Sequence, residues 1–406
     1  MIPSRDLPAI SPPDAASIAS TLASIRQHFL SPVTVDLRQP LEREVSTESN
    51  HKEEQVPARD HDRDDFETKY LRGWLERVVQ LGLRQVARAY DQATVWESIV
   101  DDTSAVLARL EDDSEDTDYV LPAPSRSPSL STASVRIHNH TLVSSTTGHR
   151  TWGSAPLLAR RIALDPDLFF PVTALPRSLR VLELGSGTGL VGLSALTVLE
   201  RVGTHPGATV TLSDGGEVNV DQISTSGVIE NLCRNLEAQV RQADIQSVSS
   251  RVQTLRWDDF LARGGGLREG GGGRAADVPG GDARYDVILG ADLVYEAKQA
   301  ESLWAAVASL LRFPVSTLEA DRPAFHLVIP LRPTHVHESE SVDKVFPPSS
   351  SSCGDEARSV RCLDGKRWRL VARERQELRA PDGFGRMGES ERIVPYRLYR
   401  IEWQEL

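Results

Sequence analysis

Residues 180–184 read Arg-Val-Leu-Glu-Leu, glycine then holds positions 185, 187 and 189, and residues 190–199 are apolar almost throughout. No other feature constrains the fold as strongly. Val181, Leu182 and Leu184 suit a strand buried on both faces, as in a parallel sheet. Gly185, Gly187 and Gly189 remove Cβ atoms from the turn, so its backbone can lie against a ligand. The apolar run predicts a helix whose first N–H groups face that same ligand.

Two glycine patterns overlap here and imply different ligands. Gly187-x-Gly189-x-x-Gly192 fits a dinucleotide turn, with Asp214 at about the distance of a ribose-binding acid. Glu183-x-Gly185-x-Gly187-x-Gly189 instead sets an acid two residues before the first glycine. A carboxylate there repels a pyrophosphate and attracts a cation. S-adenosyl-L-methionine carries an ammonium and a sulfonium and no phosphate, so it is the expected cofactor. A tight turn in an unrelated α/β protein is the bland reading of the same residues.

Strands and helices alternate beyond this point. Segments 180–184, 209–213, 251–255, 286–289 and 326–330 read as strands, and 190–199, 228–238 and 300–311 as the helices between them. That order predicts a mostly parallel sheet with right-handed crossovers. Residues 152–162 read as a helix, and 135–143 as a short strand or hairpin. Segments 368–371 and 396–403 predict an antiparallel hairpin at the sheet edge. Upstream, Ile18, Leu22, Ile25 and Phe29, and then Phe66, Tyr70, Trp74, Val78 and Leu81, recur at helical spacing.

The domain expectation is a helical region with a charged linker over 1–110, an acidic and Pro/Ser-rich linker over 111–140, and a catalytic domain over 141–406. The highly charged residues 41–65 read as solvated linker, and the acidic run 111–118 as a disordered connector. The Gly-rich 264–283 and Pro/Ser-rich 347–356 read as flexible inserts. The cofactor chemistry requires nothing before about residue 145. The Trp74 helix then either stabilises the domain or forms a rim that recognises a folded protein.

Composition excludes several classes. The formal charge of −12 gives no general attraction to nucleic acid, leaving only a local patch around Lys366, Arg367 and Arg369. Cys233, Cys353 and Cys362 are odd in number and lack metal-ligand spacing, so neither a metal nor a disulfide framework is expected. No apolar run reaches the length of a membrane span. A secretory leader is not expected, and Asp6 and Asp14 speak against a mitochondrial presequence.

Further candidates follow the strand ends. Asp214 closes the second strand, where an acceptor-only carboxylate suits a ribose diol. Trp257 and Asp258 follow the third, where an indole suits an adenine face and a polar group its amino protons. Ordinary packing is the other reading of Trp257. After the fourth strand comes Ala291-Asp292-Leu293-Val294-Tyr295, without the Asn and Pro of a base-flipping pocket.

These segments, with Thr151-Trp-Gly-Ser-Ala155 and Glu230-Asn-Leu-Cys-Arg-Asn-Leu236, resemble the seven-strand methyltransferases of family 16. That group includes fungal and animal protein-lysine methyltransferases of elongation factors and chaperones. The resemblance covers about residues 145–335. It implies a Rossmann-like α/β fold with an N-terminal helical extension and disordered linkers. Trp152, Glu183, the turn Gly185-Ser186-Gly187 with Gly189, Asp214, Trp257, Asp258 and Ala291 would contact the cofactor. Asp292 and Tyr295 match an Asp-x-x-Tyr motif at the acceptor lysine, Asp292 drawing in the ammonium and Tyr295 walling the channel. The chain departs from the pattern at 215–227, which intervene between Asp214 and the Asn-Leu-x-x-Asn helix. The long N-terminal region resembles the fungal branch that modifies elongation factor 2. The implied protein is a cytoplasmic monomer acting on a protein substrate.

Three other functions fit parts of the same sequence. They are a catalytically inactive cofactor-fold binding protein, a small-molecule methyltransferase and a nicotinamide-dependent oxidoreductase.

Overall fold

A computed structural model describes residues 7, 14–30, 33–38, 41, 61–88, 93–111, 115–128, 130, 132–139, 150–172, 177–215, 226–262, 284–315, 322–331, 336–351, 358–361, 365–381, 384 and 393–406. In chain order the elements are α1 (Ala15–Leu30), β1 (Val33–Asp36), α2 (His61–Arg88), α3 (Ala93–Glu111), β2 (Glu115–Leu121), β3 (Ala133–Asn139), α4 (Ser154–Leu164), α5 (Pro166–Phe169), β4 (Arg180–Leu184), α6 (Leu190–Val202) and β5 (Thr209–Asp214). They continue with α7 (Ser226–Gln242), β6 (Ser249–Thr254), α8 (Trp257–Ala262), β7 (Val287–Ala291), α9 (Ala297–Leu310), β8 (Ala324–Pro330), α10 (Val336–Val345), β9 (Ser359–Arg361), β10 (Arg367–Pro381) and β11 (Ile393–Glu405).

The chain divides into two compact units. The first holds α1, α2 and α3. Their apolar faces meet through Ile18, Leu22 and Ile25, through Leu71, Trp74, Leu75 and Val78, and through Trp96, Ile99 and Val106. The spacing of three and four within each set is the amphipathic pattern read from the sequence. α2 begins at His61, so the stretch expected as linker over 41–65 ends earlier than its charge suggests. Residues 42–60 lie outside the described residues.

The second unit is built on an eight-stranded sheet in the order β6-β5-β4-β7-β8-β11-β10-β9. The first five strands are parallel. β11 runs antiparallel between β8 and β10, so the C-terminal hairpin completes the sheet, with β9 outermost. Successive side chains of a strand point to opposite faces. Val181 and Val210 therefore join the core under α4, α6 and α7, while Leu182, Leu184 and Ile288 join the core under α9 and α10. Both faces of the central strands β4, β7 and β8 are covered, which is why these strands are mostly apolar, whereas the edge strand β6 is polar and partly exposed.

Two linker expectations are overturned. Residues 115–121 form a strand rather than a connector, and β1, β2 and β3 make a second, three-stranded sheet. Thr117, Tyr119 and Leu121 alternate inward and are buried, while Asp118 pairs with Arg136 on β3 at 2.7 Å. Asp116 and Asp118 lie on the opposite face of this strand. Residues 117–139 group with the second unit, so its boundary lies well before 141. The 347–356 segment is also only partly a loose insert. Pro347 O accepts the Ala372 N–H, and Ser349 N–H reaches Ala372 O, which fixes 347–349 to β10. The insert expected at 264–283 lies outside the described residues, as do 352–357 and the departure at 216–225.

Candidate active site

In an open parallel sheet ligands bind beyond the carboxyl ends of the strands. Here those ends carry the glycine turn after β4, Asp214 on β5, Trp257 after β6 and Asp292 after β7. All the parallel strands point the same way, so these groups share one end of the sheet.

Hydrogen bonds to β5 hold the turn. Ser186 N–H donates to Ser213 O at 2.8 Å, and Ser213 N–H donates to Ser186 Oγ at 2.9 Å. Ser213 Oγ donates to Glu183 O at 2.7 Å. Gly185, Gly187 and Gly189 have φ of 58°, 52° and 91°, a region that side chains disfavour. A Cβ on Gly185 would lie 2.7 Å from Leu293 and 3.2 Å from the Trp257 ring. Leu293 follows Asp292, so the turn, the β6 end and the β7 end close on one another at Gly185. The Ser186 hydroxyl, expected on the cofactor, is engaged with β5.

Two acidic side chains occupy the positions an anionic ligand would need. Asp214 Oδ2 accepts the Gly187 N–H at 2.9 Å. Glu183 is 4% exposed, on the α6 side of the strand, and its Oε2 has no hydrogen-bond partner. Burial pushes its carboxyl up to about 8; the Ser186 hydroxyl and the Gly192 and Val191 N–H groups oppose this, while the Asp214 charge adds to it. Helix N-termini attract anions. This one is already furnished with acids, which suits a cationic ligand and not a pyrophosphate.

The remaining expected residues fall into two places. Trp152 precedes α4 and lies edge-on to Tyr295, ring centroids 5.9 Å apart at 61°. Tyr295 is 39% exposed, so this pair reaches the surface. Ala291 ends β7 and packs half-buried on the core under α4 and α6. Asp292 Oδ2 accepts the Ser154 N–H at 2.8 Å, at the first residue of α4. Asp258 is exposed, and its Oδ1 accepts the Ser302 hydroxyl from α9 at 2.7 Å, so it ties α8 to α9. Among the described residues no cluster of His, Cys, Asp and Glu is arranged to hold a metal.

Sequence reasoning missed the scaffold around these groups. Asn231, Asn235 and Gln239 lie four residues apart on α7, on one helical face. The Asn231 and Asn235 amides donate to His138 O at 2.9 and 3.2 Å, and Asn235 Oδ1 accepts the His138 N–H at 2.9 Å. Gln239 bonds Ser134 O and accepts the Arg136 N–H. Three amide side chains thus satisfy the edge of β3. Asn235 also donates to Thr188 O in the glycine turn at 2.9 Å. Asn139 then accepts both the N–H and the hydroxyl of Thr151 at 3.1 Å, and Thr151 Oγ1 lies 2.8 Å from Thr188 Oγ1. The small sheet therefore braces both the glycine turn and the segment carrying Trp152. The i, i+4, i+8 amides on an amphipathic helix were the available signal.

Part of the chain is similar to known protein-lysine methyltransferases. The family described as lysine methyltransferase matches residues 131–266, from just before β3 to just after α8. The protein-lysine N-methyltransferase rrg1 of Schizosaccharomyces pombe is 32% identical over 165 residues, which are 38% of this chain and 48% of rrg1. The protein-lysine N-methyltransferase EFM2 of Saccharomyces cerevisiae is 28% identical over 238 residues, 56% of this chain and 47% of EFM2. EFM3 of Chaetomium thermophilum, another protein-lysine N-methyltransferase, is 29% identical over 170 residues, 41% of this chain and 40% of EFM3. The chain spans less than half the length of each of these relatives. A solved carbon methyltransferase, DszA, overlays with a TM-score of only 0.29 at 17% identity, covering 61% of this chain and 52% of its own. Residues 131–266 of this chain are thus similar to the lysine methyltransferase family.

Proposed function

We propose that this protein is an S-adenosyl-L-methionine-dependent protein-lysine N-methyltransferase. The observation that carries the reading is the pair of acids at the glycine turn. Asp214 occupies the Gly187 N–H and Glu183 lies beneath the first turn of α6. A pyrophosphate has no place there, while a ligand with an ammonium and a sulfonium meets opposite charge. The cofactor supplies a methyl group on positively charged sulfur. Asp214 provides the charge complement, Glu183, which keeps its proton below about pH 8, fills the anion position at the start of α6, and Trp257, against Gly185, offers an apolar face. The backbone of residues 185–189 forms the floor.

The acceptor end follows from the same placement. A lysine ammonium has a pKa of about 10.4, so it must shed a proton before its amine can take a methyl group. Tyr295 and Trp152 form an aromatic wall open to the surface, suited to the alkyl stem of a lysine from another protein. The acceptor we favour is a folded cytoplasmic protein such as a translation elongation factor, on the resemblance of the N-terminal region. No residue assigned to the cofactor lies in the helical unit, which leaves that unit available for recognising the substrate.

Calorimetry tests the ligand choice. S-adenosylmethionine and S-adenosylhomocysteine should bind, and Asp214→Asn should weaken both. Binding of a nicotinamide dinucleotide with no binding of either sulfur compound would overturn the reading. Cofactor binding without transfer to any protein would favour an inactive binding protein or a small-molecule methyltransferase.

A further inference from the structure

Asp292 adopts a left-handed backbone with φ 54°, a conformation shared by only one other non-glycine among the described residues. Such a backbone is uncommon for a residue with a Cβ and persists where surrounding contacts enforce it. The contacts here are specific. The Asp292 N–H donates to Val328 O on β8 at 3.1 Å, and the side chain is buried, with Oδ2 on the Ser154 N–H at 2.8 Å. The N-cap position of α4 is Gly153, which has no side chain to offer that helix. A carboxylate from 138 residues away supplies the cap instead. A negative group is favoured there by the helix dipole as well as by the hydrogen bond.

The same helix start is held from a second point. Trp152 precedes Gly153, and its ring meets Tyr295, three residues beyond Asp292. The loop after β7 and the segment before α4 are thus joined twice, by Asp292 to Ser154 and by Tyr295 to Trp152. We infer that Asp292 is a positioning residue, whose carboxylate caps α4 and thereby holds Trp152 against Tyr295, rather than the group that draws in the acceptor ammonium. The inference rests on the methyltransferase reading.

Two substitutions in the full chain separate these roles. Asp292→Asn keeps an acceptor oxygen and tolerates the left-handed backbone but loses the charge. Asp292→Gly keeps the backbone and loses both charge and cap. Methyl transfer, S-adenosylhomocysteine affinity and hydrogen exchange of the Ser154 amide are measured on each. The expected result is an asparagine variant within about threefold of the wild-type kcat and a glycine variant down about tenfold in kcat/KM, the scale of one lost helix cap. Ser154 should exchange faster in the glycine variant only. An asparagine variant as inactive as the glycine one, or unchanged Ser154 exchange in the glycine variant, overturns the inference. A wild-type protein that transfers to no protein acceptor refutes the methyltransferase reading instead, and the exchange comparison still decides the cap.

Discussion

Gly185 is where the turn, Trp257 and Leu293 converge, and Gly185→Ala tests that convergence quantitatively. At φ 58° an alanine pays for the left-handed backbone, about 1–2 kcal/mol. Its methyl would also land 2.7 Å from Leu293 and 3.2 Å from Trp257. Forcing an extra carbon into packed surroundings costs about 1–3 kcal/mol. The sum is a loss of about 2–5 kcal/mol. Gly203→Ala is the control, since Gly203 has φ 66° but nothing within 4 Å of a Cβ. It should show the backbone cost alone. Urea unfolding of both variants gives the difference, and calorimetry gives S-adenosylhomocysteine affinity. Gly185→Ala should be the less stable by about 1–3 kcal/mol and should bind the ligand more weakly, because Trp257 has been displaced. Equal stabilities with unchanged affinity would refute the described closure of the turn.

Asn235→Leu leaves the His138 N–H and Thr188 O without their amide partner, while His138 O keeps Asn231, and should cost on the order of 3 kcal/mol, read from urea unfolding, with weaker cofactor binding. A chain starting at residue 140 lacks Asn139 and β3 and should bind S-adenosylhomocysteine more weakly than the full chain by calorimetry. Folded Glu183 keeps its proton up to about pH 8, against 4.5 for an ordinary glutamate. The folded state therefore holds the extra proton between those values, and stability falls as pH rises through that window and levels off above it. Glu183→Gln should flatten that slope in urea titrations from pH 5 to 9.

The central frame was legible because burial on both faces forces apolar strands. Val181 to Leu184 and the glycines after them could hardly read otherwise. Asp214, Trp257 and Asp292 were legible as strand-end residues, since topology alone places them. β2 was not, because its acidic residues dominate composition while Thr117, Tyr119 and Leu121 carry the inward alternation. Asp292 and Asp258 look like free acids in sequence, yet each reaches a partner distant in the chain, Ser154 and Ser302. Such partners appear only once the chain is folded. Asn231, Asn235 and Gln239 carried a usable helical period, but the expected strand at 135–143 gave no sign that its edge would lie against that face of α7.

The most direct test is to incubate the full chain with methyl-labelled S-adenosylmethionine and a yeast lysate lacking its own related methyltransferases, then hydrolyse the labelled protein and identify the methylated amino acid. The expected result is one labelled protein band whose label is recovered as methyl-lysine, with none recovered when Tyr295→Ala replaces the wild type. Label recovered on another side chain, on nucleic acid or on a small molecule, with no methyl-lysine, would contradict the account.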